Sequence, residues 1–448
     1  MSSPSIKISV AKKKISGTVH LTGSKSESNR ALIMQAMSNG AVQVKNVSEA
    51  ADTVTLLGIL QPLKPDSYRV ESGERKVESE TNAQNSNLKS PPDSYRVSNL
   101  VDVGPAGTAM RFLTAYYTLQ DGEVILTGSA RMKQRPIGIL VDALRELGAE
   151  IEFAEKDGYP PLKIHGPLNQ KSEKVSIKGN ISSQYISALL LAAPLLEKGL
   201  ELIIEDDLTS KPYVEMTLTM LSQAGIKYTW NGNIIKIPNQ PYAKSVISVE
   251  PDWSAASYWY AIAALAEEAE LFLPGLNAYS LQGDSKITEI MANFGITSQF
   301  KDGGVFLKKE HKKLERKIFD FKECPDLAQT VIVVCAALGH DATFTGLETL
   351  KIKETDRVNA LQVELSKIGV KLIEKNQTYK LDCAGRDLNK AVSISTYDDH
   401  RMAMAFAPLA LVLNEMEIED HLVIEKSYPH FWKDLESIGY DIEIVNSK

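Results

Sequence analysis

The sequence contains few of the residues that build disulfide frameworks and metal centres. Only three of its 448 residues are cysteines, Cys324, Cys335 and Cys383, and no CxxC pair is present. The seven histidines include no HxxxH or HExxH spacing. A small, odd number of cysteines is typical of a reducing compartment, so the sequence predicts a cytoplasmic location. The missing ligand spacings argue against a metal site.

Long hydrophobic runs and an excess of positive charge are also absent. The longest apolar stretches, such as residues 188–196, are well short of the ~20 residues that span a bilayer. The first residues, MSSPSIKISVAKKK, have no apolar segment of signal-peptide length. A net charge of −7 argues against nucleic acid or a membrane surface as a general partner. Any basic site is therefore expected to be local.

The length and composition are those of a globular protein with more than one domain. A hydrophobic content of 43% with 24% charged residues lies in the usual globular range. A chain of 448 residues exceeds what one hydrophobic core normally organises. At least two domains are therefore expected.

Six times along the chain, a cluster of small and polar residues opens an apolar run of helical length. The spacings between successive openings are 83, 75, 72, 72 and 73 residues. This regularity predicts one structural unit used six times. It also predicts six helix N-termini, each able to bind an anion. The openings are marked by Ser24, Gly107, Ser182, Ser254, Asp326 and Asp399.

A second set of helices alternates with the first. These segments are amphipathic, and each reaches a glycine that can form a left-handed helix cap. Alternating apolar stretches such as YTWNGNIIKI follow most of them and predict strands. The unit is therefore strand–helix–strand–helix–strand–strand. The first helix of each unit is apolar nearly all round, which predicts burial and two domains of three units each. The capping glycines are Gly148, Gly225, Gly295, Gly369 and Gly439.

Residues 64–97 do not fit the repeat. The segment is polar, has almost no apolar periodicity, and carries PDSYRV twice. We interpret it as a solvated insertion in the first unit rather than as a functional loop.

Cationic residues recur near the starts of the repeated elements. Each has an ordinary structural alternative, such as a solvated serine-rich cap around Lys25 or an exposed ion pair in KETDR. Asp326 fits both a helix N-cap and a general base. Taken together, the cations predict a positive cleft for a small substrate with several anionic groups. They are Lys25, Arg30, Arg111, Arg131, Lys353, Arg357, Arg401 and Lys426, with Lys133 and Arg135 beside Arg131.

These segments together resemble the 5-enolpyruvylshikimate-3-phosphate (EPSP) synthase family. GSKSxSNRAL, AGTAMR, RMKxRPI, SSQ, SKPY, KETDR, DHRMAM and KSYPHFW occur here in that family's order, across nearly the whole chain apart from residues 64–97. The resemblance implies an α+β fold, a two-domain inside-out α/β barrel of six βαβαββ repeats. The first domain would span residues 22–248, and the second would join 1–21 to 249–448.

The resemblance also implies a reaction between the two domains. The enolpyruvyl group of phosphoenolpyruvate passes to the 5-hydroxyl of shikimate 3-phosphate, and phosphate is released through a tetrahedral intermediate. No metal or organic cofactor is expected. The partners are these small anionic substrates, with no nucleic acid and no membrane, and the protein is expected to be a monomer.

Roles at individual positions follow from the same resemblance. Asp326 matches the carboxylate that takes the hydroxyl proton, Glu354 matches a candidate proton donor to the enol carbon, and Lys25 completes the catalytic set. Positions that match shikimate 3-phosphate ligands are Lys25, Ser26, Arg30, Ser182, Ser183, Gln184, Ser210, Tyr213, Asp326 and Lys353. Positions that match phosphoenolpyruvate ligands are Lys25, Gly107, Arg131, Gln184, Arg357, Arg401 and Lys426.

Two alternative functions were weighed against this one. A UDP-N-acetylglucosamine enolpyruvyl transferase would have asparagine after its motif lysine and a reactive cysteine in a mobile loop. Here Ser26 follows Lys25, and no cysteine precedes Cys324. A non-catalytic anion-binding protein of the same fold would not need Asp326 and Glu354, which are both present.

Overall fold

The computed structural model of the chain describes residues 4–60, 99–413 and 415–445. The insertion predicted at residues 64–97 lies outside these ranges. Within them, helices and strands alternate along the whole chain. The helices are α1 (Lys25–Met37), α2 (Ala51–Leu60), α3 (Gly107–Tyr117), α4 (Gly138–Leu147), α5 (Ser183–Ala192), α6 (Lys211–Gln223), α7 (Trp253–Leu265), α8 (Ile287–Met291), α9 (Ala328–Leu338), α10 (Arg357–Ser366), α11 (His400–Phe406) and α12 (Phe431–Ser437).

The strands are short and numerous. Those up to residue 248 are β1 (Ser5–Val10), β2 (Lys14–Thr18), β3 (Val42–Lys45), β4 (Leu100–Asp102), β5 (Gly122–Thr127), β6 (Glu150–Phe153), β7 (Leu162–Gly166), β8 (Lys174–Lys178), β9 (Leu200–Glu205), β10 (Thr229–Asn231), β11 (Ile234–Ile237) and β12 (Ser245–Ser248). Those after it are β13 (Glu268–Pro274), β14 (Ile296–Lys301), β15 (Gly304–Lys309), β16 (Ile318–Asp320), β17 (Thr343–Thr345), β18 (Lys371–Lys375), β19 (Thr378–Asp382), β20 (Val392–Ile394), β21 (Met416–Ile418) and β22 (Tyr440–Val445).

Each complete repeat forms a four-stranded sheet with one recurring strand order. In the second, third and fifth repeats the orders are β4-β5-β7-β6, β8-β9-β11-β10 and β16-β17-β19-β18. The first two strands of each are parallel, and the last two form an antiparallel hairpin. The predicted βαβαββ unit is confirmed by this arrangement.

The other repeats exchange strands across the two points where the chain crosses between domains. Strand β2 pairs in parallel with β13 and supplies the first strand of the fourth repeat. Strand β12 pairs in parallel with β3 and supplies the first strand of the first repeat. Strand β1 lies between β21 and β22 and completes the sixth sheet. The two crossings therefore run side by side, and Asp252 N donates to Thr22 O at 2.9 Å where they meet.

Buried apolar side chains form two separate cores. One core draws on residues from Ala31 to Ile247. The other joins Ile6, Ile8, Ile15 and Val19 to residues from Trp253 onward. Each core is surrounded by its own set of repeats, and the two together form the predicted two-domain α+β fold. The domain limits at residues 22–248, and 1–21 with 249–448, stay a prediction.

The buried helices carry the apolar runs that the sequence marked. In α7, every residue except Ser254 is buried, because apolar residues occupy all faces of the helix. The amphipathic helices end as predicted at glycines in the left-handed region, for example Gly148 at φ 113° and Gly225 at φ 83°. This alternation places the N-termini of the buried helices near the gap between the two cores.

Candidate active site

A cleft between the two cores collects most of the predicted site residues. Its walls include residues at the starts of α1, α3, α5, α6, α10 and α11. All the positions assigned by the family resemblance line this cleft, except Arg131 and Lys426.

The N-terminus of α5 forms part of the first-domain wall. Ser182 caps this helix, with its side chain accepting a hydrogen bond from Gln184 N at 3.3 Å. Ser183 follows at the first helical position, and the Gln184 amide donates to Thr108 Oγ1 at 3.1 Å. The SSQ sequence thus presents two hydroxyls and an amide beside the N-terminal end of α3.

Arg30 has a larger structural role than the sequence predicted. It is buried and donates to Thr217 Oγ1 at 2.7 Å, to Ser187 Oγ at 3.1 Å, and to the carbonyls of Ser26 and Tyr213. A guanidinium has five N–H donors, so these bonds leave little capacity for a ligand. Arg30 therefore mainly ties α1 to α5 and α6 behind the cleft.

The start of α6 connects the two domains. Ser210 adopts a left-handed conformation at φ 55°, and its backbone N–H donates to Lys322 O of the second domain at 3.1 Å. One helical turn on, Tyr213 donates its hydroxyl to Asp326 Oδ2 at 3.2 Å. The SKPY segment thereby fixes the position of the first domain against the carboxylate predicted to be the base.

Asp326 lies in a turn before α9 and is surrounded by cations. Arg357 Nη1 is 3.1 Å from Oδ1, Arg401 Nη2 is 3.0 Å from Oδ2, and Lys353 Nζ is 3.9 Å from Oδ1. Burial alone would raise the pKa of Asp326, but these three cations outweigh burial and hold that pKa well below its usual range. Asp326 is therefore ionised and only weakly basic in this arrangement.

Glu354 is the second carboxylate of the cleft. Arg357 Nη2 lies 3.0 Å from Oε2, while Lys426 Nζ and Arg135 Nη1 lie 3.1 and 3.9 Å from Oε1. Burial opposes ionisation, but Lys426, Arg357 and Arg135 together hold the pKa of Glu354 well below its usual range. A carboxylate in this state donates no proton until its cations are drawn elsewhere.

Arg131 and Lys426 lie in a second cavity that adjoins the cleft at Glu354. Arg131 belongs to the first domain, and its guanidinium donates to the carbonyls of Glu354 and Lys353 at 3.0 and 3.2 Å. Lys426 contacts the cleft through its ion pair with Glu354. Both cations are thus within reach of the predicted site, on its outer side.

Two further residues of the cleft were missed by reasoning from the sequence. Asp52 at the start of α2 is buried with its Oδ2 3.5 Å from Lys25 Nζ, yet an acid there looks like an ordinary helix-start residue. His400 follows Asp399 in the DDHRM motif. Its ring nitrogens have no hydrogen-bond partner among the residues described. Burial, aided by Lys25, Arg401 and Lys426, lowers the pKa of His400 well below its usual range, so the ring is neutral.

Gly107 permits the close approach of Arg135 to the first turn of α3. A Cβ at this position would lie 2.5 Å from Arg135 Nη1. The sequence resemblance implies that this site binds phosphoenolpyruvate. We therefore expect Gly107→Ala to displace this guanidinium from Glu354 and, at the usual cost of ~1–3 kcal/mol for overpacking, to raise the KM for that ligand about tenfold. Steady-state kinetics would measure this. Gly58→Ala in α2 is the control, because no atom of the residues that the structure describes lies within 4 Å of its added Cβ; equal effects of the two changes would contradict the expectation.

Two kinds of feature are not found in the part of the chain that the structure describes: metal-binding clusters and helices able to span a membrane. Over residues 4–60, 99–413 and 415–445, no group of three His, Cys, Asp or Glu side chains is arranged to hold a metal ion. None of the helices assigned there has the length and apolar character needed to cross a membrane.

Sequence comparisons give matches over almost the entire chain. A family model described as EPSP synthase (3-phosphoshikimate 1-carboxyvinyltransferase) matches residues 10–435. The 3-phosphoshikimate 1-carboxyvinyltransferase of Bacteroides fragilis is 42% identical over 437 residues, which cover 97% of this chain and 98% of that protein. The protein of the same name from Photobacterium damsela subsp. piscicida is 35% identical over 437 residues, covering 95% and 97%.

Solved structures give the same fold at lower identity. The EPSP synthase of Acinetobacter baumannii matches with a TM-score of 0.73 at 20% identity, over 99% of this chain and 100% of that chain. The enolpyruvyl transferase NikO from Streptomyces tendae matches with a TM-score of 0.70 at 15% identity, over 100% of both chains. At such identities the structural similarity supports the fold alone.

Proposed function

Because the chain belongs to the EPSP synthase family, we propose that it transfers the enolpyruvyl group of phosphoenolpyruvate to the 5-hydroxyl of shikimate 3-phosphate. Phosphate is the second product. The observation that carries this proposal is the pair of carboxylates, Asp326 and Glu354, held among Lys353, Arg357 and Arg401 in one interdomain cleft.

The two substrates divide the cleft between them. Hydroxyl and amide groups suit the ring and phosphate of shikimate 3-phosphate. They belong to Ser26, Ser182, Ser183, Gln184 and Ser210. Cationic groups suit the carboxylate and phosphate of phosphoenolpyruvate, and they stabilise the negative charge of the tetrahedral intermediate. Those cations are Lys25, Arg131, Arg357, Arg401 and Lys426, with the backbone at Gly107 beside them.

The two carboxylates supply the proton transfers. In the addition step, Asp326 takes the proton of the attacking hydroxyl, and Glu354 or Lys25 gives a proton to the methylene carbon. A C–O bond forms at C2, and a tetrahedral intermediate results. In the elimination step, the methyl carbon returns a proton to Glu354 or Lys25, Asp326 gives the hydroxyl proton to the departing phosphate, and the C–O bond to phosphate breaks. Proton transfers balance over the two steps, so the protein ends as it began.

Binding of phosphoenolpyruvate would itself prepare these groups. Arg357 and Arg401 hold the pKa of Asp326 low, while Lys426 and Arg135 do the same for Glu354. The substrate's carboxylate and phosphate compete for these same cations. Each cation drawn toward the substrate raises the pKa of the carboxylate that it leaves. Asp326 thereby becomes a stronger base, and Glu354 becomes able to carry a proton.

Phosphate release tests the proposed reaction directly. We expect a coupled assay for inorganic phosphate to respond only when phosphoenolpyruvate and shikimate 3-phosphate are both present. Replacing shikimate 3-phosphate with UDP-N-acetylglucosamine should give no phosphate. That compound is the acceptor of the alternative transferase, so phosphate release with it would favour the alternative. A pure, folded sample that releases no phosphate with either acceptor would instead support a non-catalytic anion-binding protein.

The proposal includes the setting in which the protein acts. The three cysteines are buried free thiols, which suits a reducing cytoplasm. The protein is proposed to act as a monomer on its small anionic substrates. The domain limits at residues 22–248, and 1–21 with 249–448, are supported by the two separate cores.

A further inference from the structure

Among the polar contacts of Arg401 is one, to a residue outside the cleft, that the proposed mechanism does not use. Its Nη2 atom, which lies 3.0 Å from Asp326 Oδ2, also donates to Ser254 Oγ at 3.3 Å. The Ser254 hydroxyl donates in turn to Asp284 Oδ2. Ser254 is in the first turn of α7, and Asp284 is in the 3-10 turn before α8. Neither residue lines the cleft.

Hydrogen-bond chemistry fixes the direction of this chain. A guanidinium can only donate, so Ser254 must accept from Arg401 with a lone pair. The hydroxyl has a single proton, and Asp284 receives it. Without an acceptor at Asp284, the hydroxyl proton would be free to rotate toward the guanidinium and oppose it. Asp284 therefore keeps the lone pairs of Ser254 directed at Arg401.

Asp284 has no structural role that accounts for a carboxylate at this position. Only 3% of the residue is exposed. Its Oδ1 atom is buried with no hydrogen-bond partner among the residues that the structure describes. Leaving a carboxylate oxygen buried and unbonded is costly. Within the described part of the chain, the side chain of Asp284 makes one hydrogen bond, the bond from Ser254.

We propose that Asp284 is a positioning residue, which acts through Ser254 to orient Arg401 between Asp326 and the carboxylate of phosphoenolpyruvate. The first turn of α7 and the 3-10 turn before α8 would thus set the geometry of a cation on α11. The inference rests on the proposed function, since it assumes that Arg401 binds phosphoenolpyruvate. Asp284 itself contacts neither substrate.

The charge on Asp284 changes near neutral pH. Burial raises its pKa to about 7, with the nearby negative charge of Asp326 adding to the effect and Arg401 opposing it. Above this pKa, the ionised carboxylate is the stronger acceptor for Ser254. Below this pKa, the carboxyl is an uncharged acceptor and is comparable to the side-chain amide of asparagine. The charged and titratable groups that face Asp284 are Asp326, Arg401, Asp252, Tyr213 and Cys324.

The first test compares Asp284→Asn with the unchanged enzyme over roughly two pH units on either side of that pKa. Both enzymes use the same substrates, so substrate ionisation cancels in the ratio of their kcat/KM values for phosphoenolpyruvate. Loss of a charge-assisted hydrogen bond is expected to lower kcat/KM about tenfold or more at high pH. The two enzymes should converge at low pH, where Asp284 is neutral. A deficit that is the same at every pH would overturn the proposal and show a purely structural role.

A double-mutant cycle tests the route through Ser254. Because Asp284 acts through that hydroxyl, Asp284→Asn should cause no further loss in a Ser254→Ala background. Additive losses would overturn the proposal. Asp434→Asn is the matched control, since Asp434 likewise accepts a hydrogen bond from a hydroxyl, that of Tyr428, but lies on α12 outside the cleft; its kcat/KM should be unchanged. If the unchanged enzyme releases no phosphate, the proposed function fails, whereas activity with an unaffected Asp284→Asn variant removes only the positioning role.

Discussion

Asp326→Asn is expected to lower kcat by roughly 10²–10⁴-fold, the usual range for loss of an acid–base group. The amide keeps the shape of the side chain but cannot take the hydroxyl proton of shikimate 3-phosphate. The same change removes an anion that competes for Arg357, Arg401 and Lys353. The KM for phosphoenolpyruvate should therefore stay level or fall while kcat drops. Steady-state phosphate release at saturating concentrations of both substrates would measure the two constants.

This split between kcat and KM separates a catalytic base from a residue that only binds substrate. Loss of a binding contact would raise KM, whereas loss of the base affects the reaction after both substrates are bound. Asp387→Asn is a suitable control, because Asp387 is a partly exposed carboxylate of the second domain that contacts Asn389 and Lys390 outside the cleft. A kcat for Asp326→Asn within threefold of the unchanged enzyme would refute its assignment as the base.

The repeat architecture was predictable because its signals are local. An apolar run that occupies all faces of a helix specifies burial, and a glycine after an amphipathic helix specifies its end. Gly148 and Gly225 illustrate this, since both adopt the positive φ that the pattern requires. Neither signal contains information about which strand pairs with which, so the pairing of β2 with β13 and of β12 with β3 could not be read from periodicity.

The electrostatics of the cleft were predicted less well. The sequence led us to expect a strongly positive site, because cations cluster in recognisable motifs such as KETDR. The structure instead pairs many of them: Lys25 with Asp52, and Arg357 with Asp399, Asp326 and Glu354. The pair within KETDR was named as an alternative from the sequence, but Asp52, Asp326 and Asp399 are distant from their partners along the chain or look like ordinary helix caps, so sequence patterns do not reveal their pairing. The site is better described as a network of ion pairs that an anionic substrate rearranges.

Arg357 is the centre of that network, and its removal should have the largest effect on stability. Its side chain is 2% exposed, with Nε 2.7 Å from Asp399 Oδ2 and Nη2 3.3 Å from Asp399 Oδ1. Its other N–H groups bond Asp326 and Glu354. We expect Arg357→Gln to lower the free energy of unfolding of the second domain by about 3–5 kcal/mol, because it leaves buried carboxylates without a counter-charge. Urea unfolding followed by tryptophan fluorescence would measure the loss.

The pH dependence of that loss distinguishes charge from packing. The pKa values of Asp326 and Glu354 are depressed in the folded protein, so the stability that they contribute is present above their unfolded pKa values and is lost as pH falls toward the folded ones. The loss of unfolding free energy caused by Arg357→Gln should accordingly be largest near neutral pH. It should shrink in acid, where the carboxylates that have lost their counter-charge become protonated. A loss of packing alone would not vary with pH in this way. Lys308→Gln breaks an exposed pair with Glu270 and serves as the control, with almost no expected loss because solvent screens that pair. If Arg357→Gln were no more destabilising than this control, the central role of Arg357 in holding these acids together would be refuted.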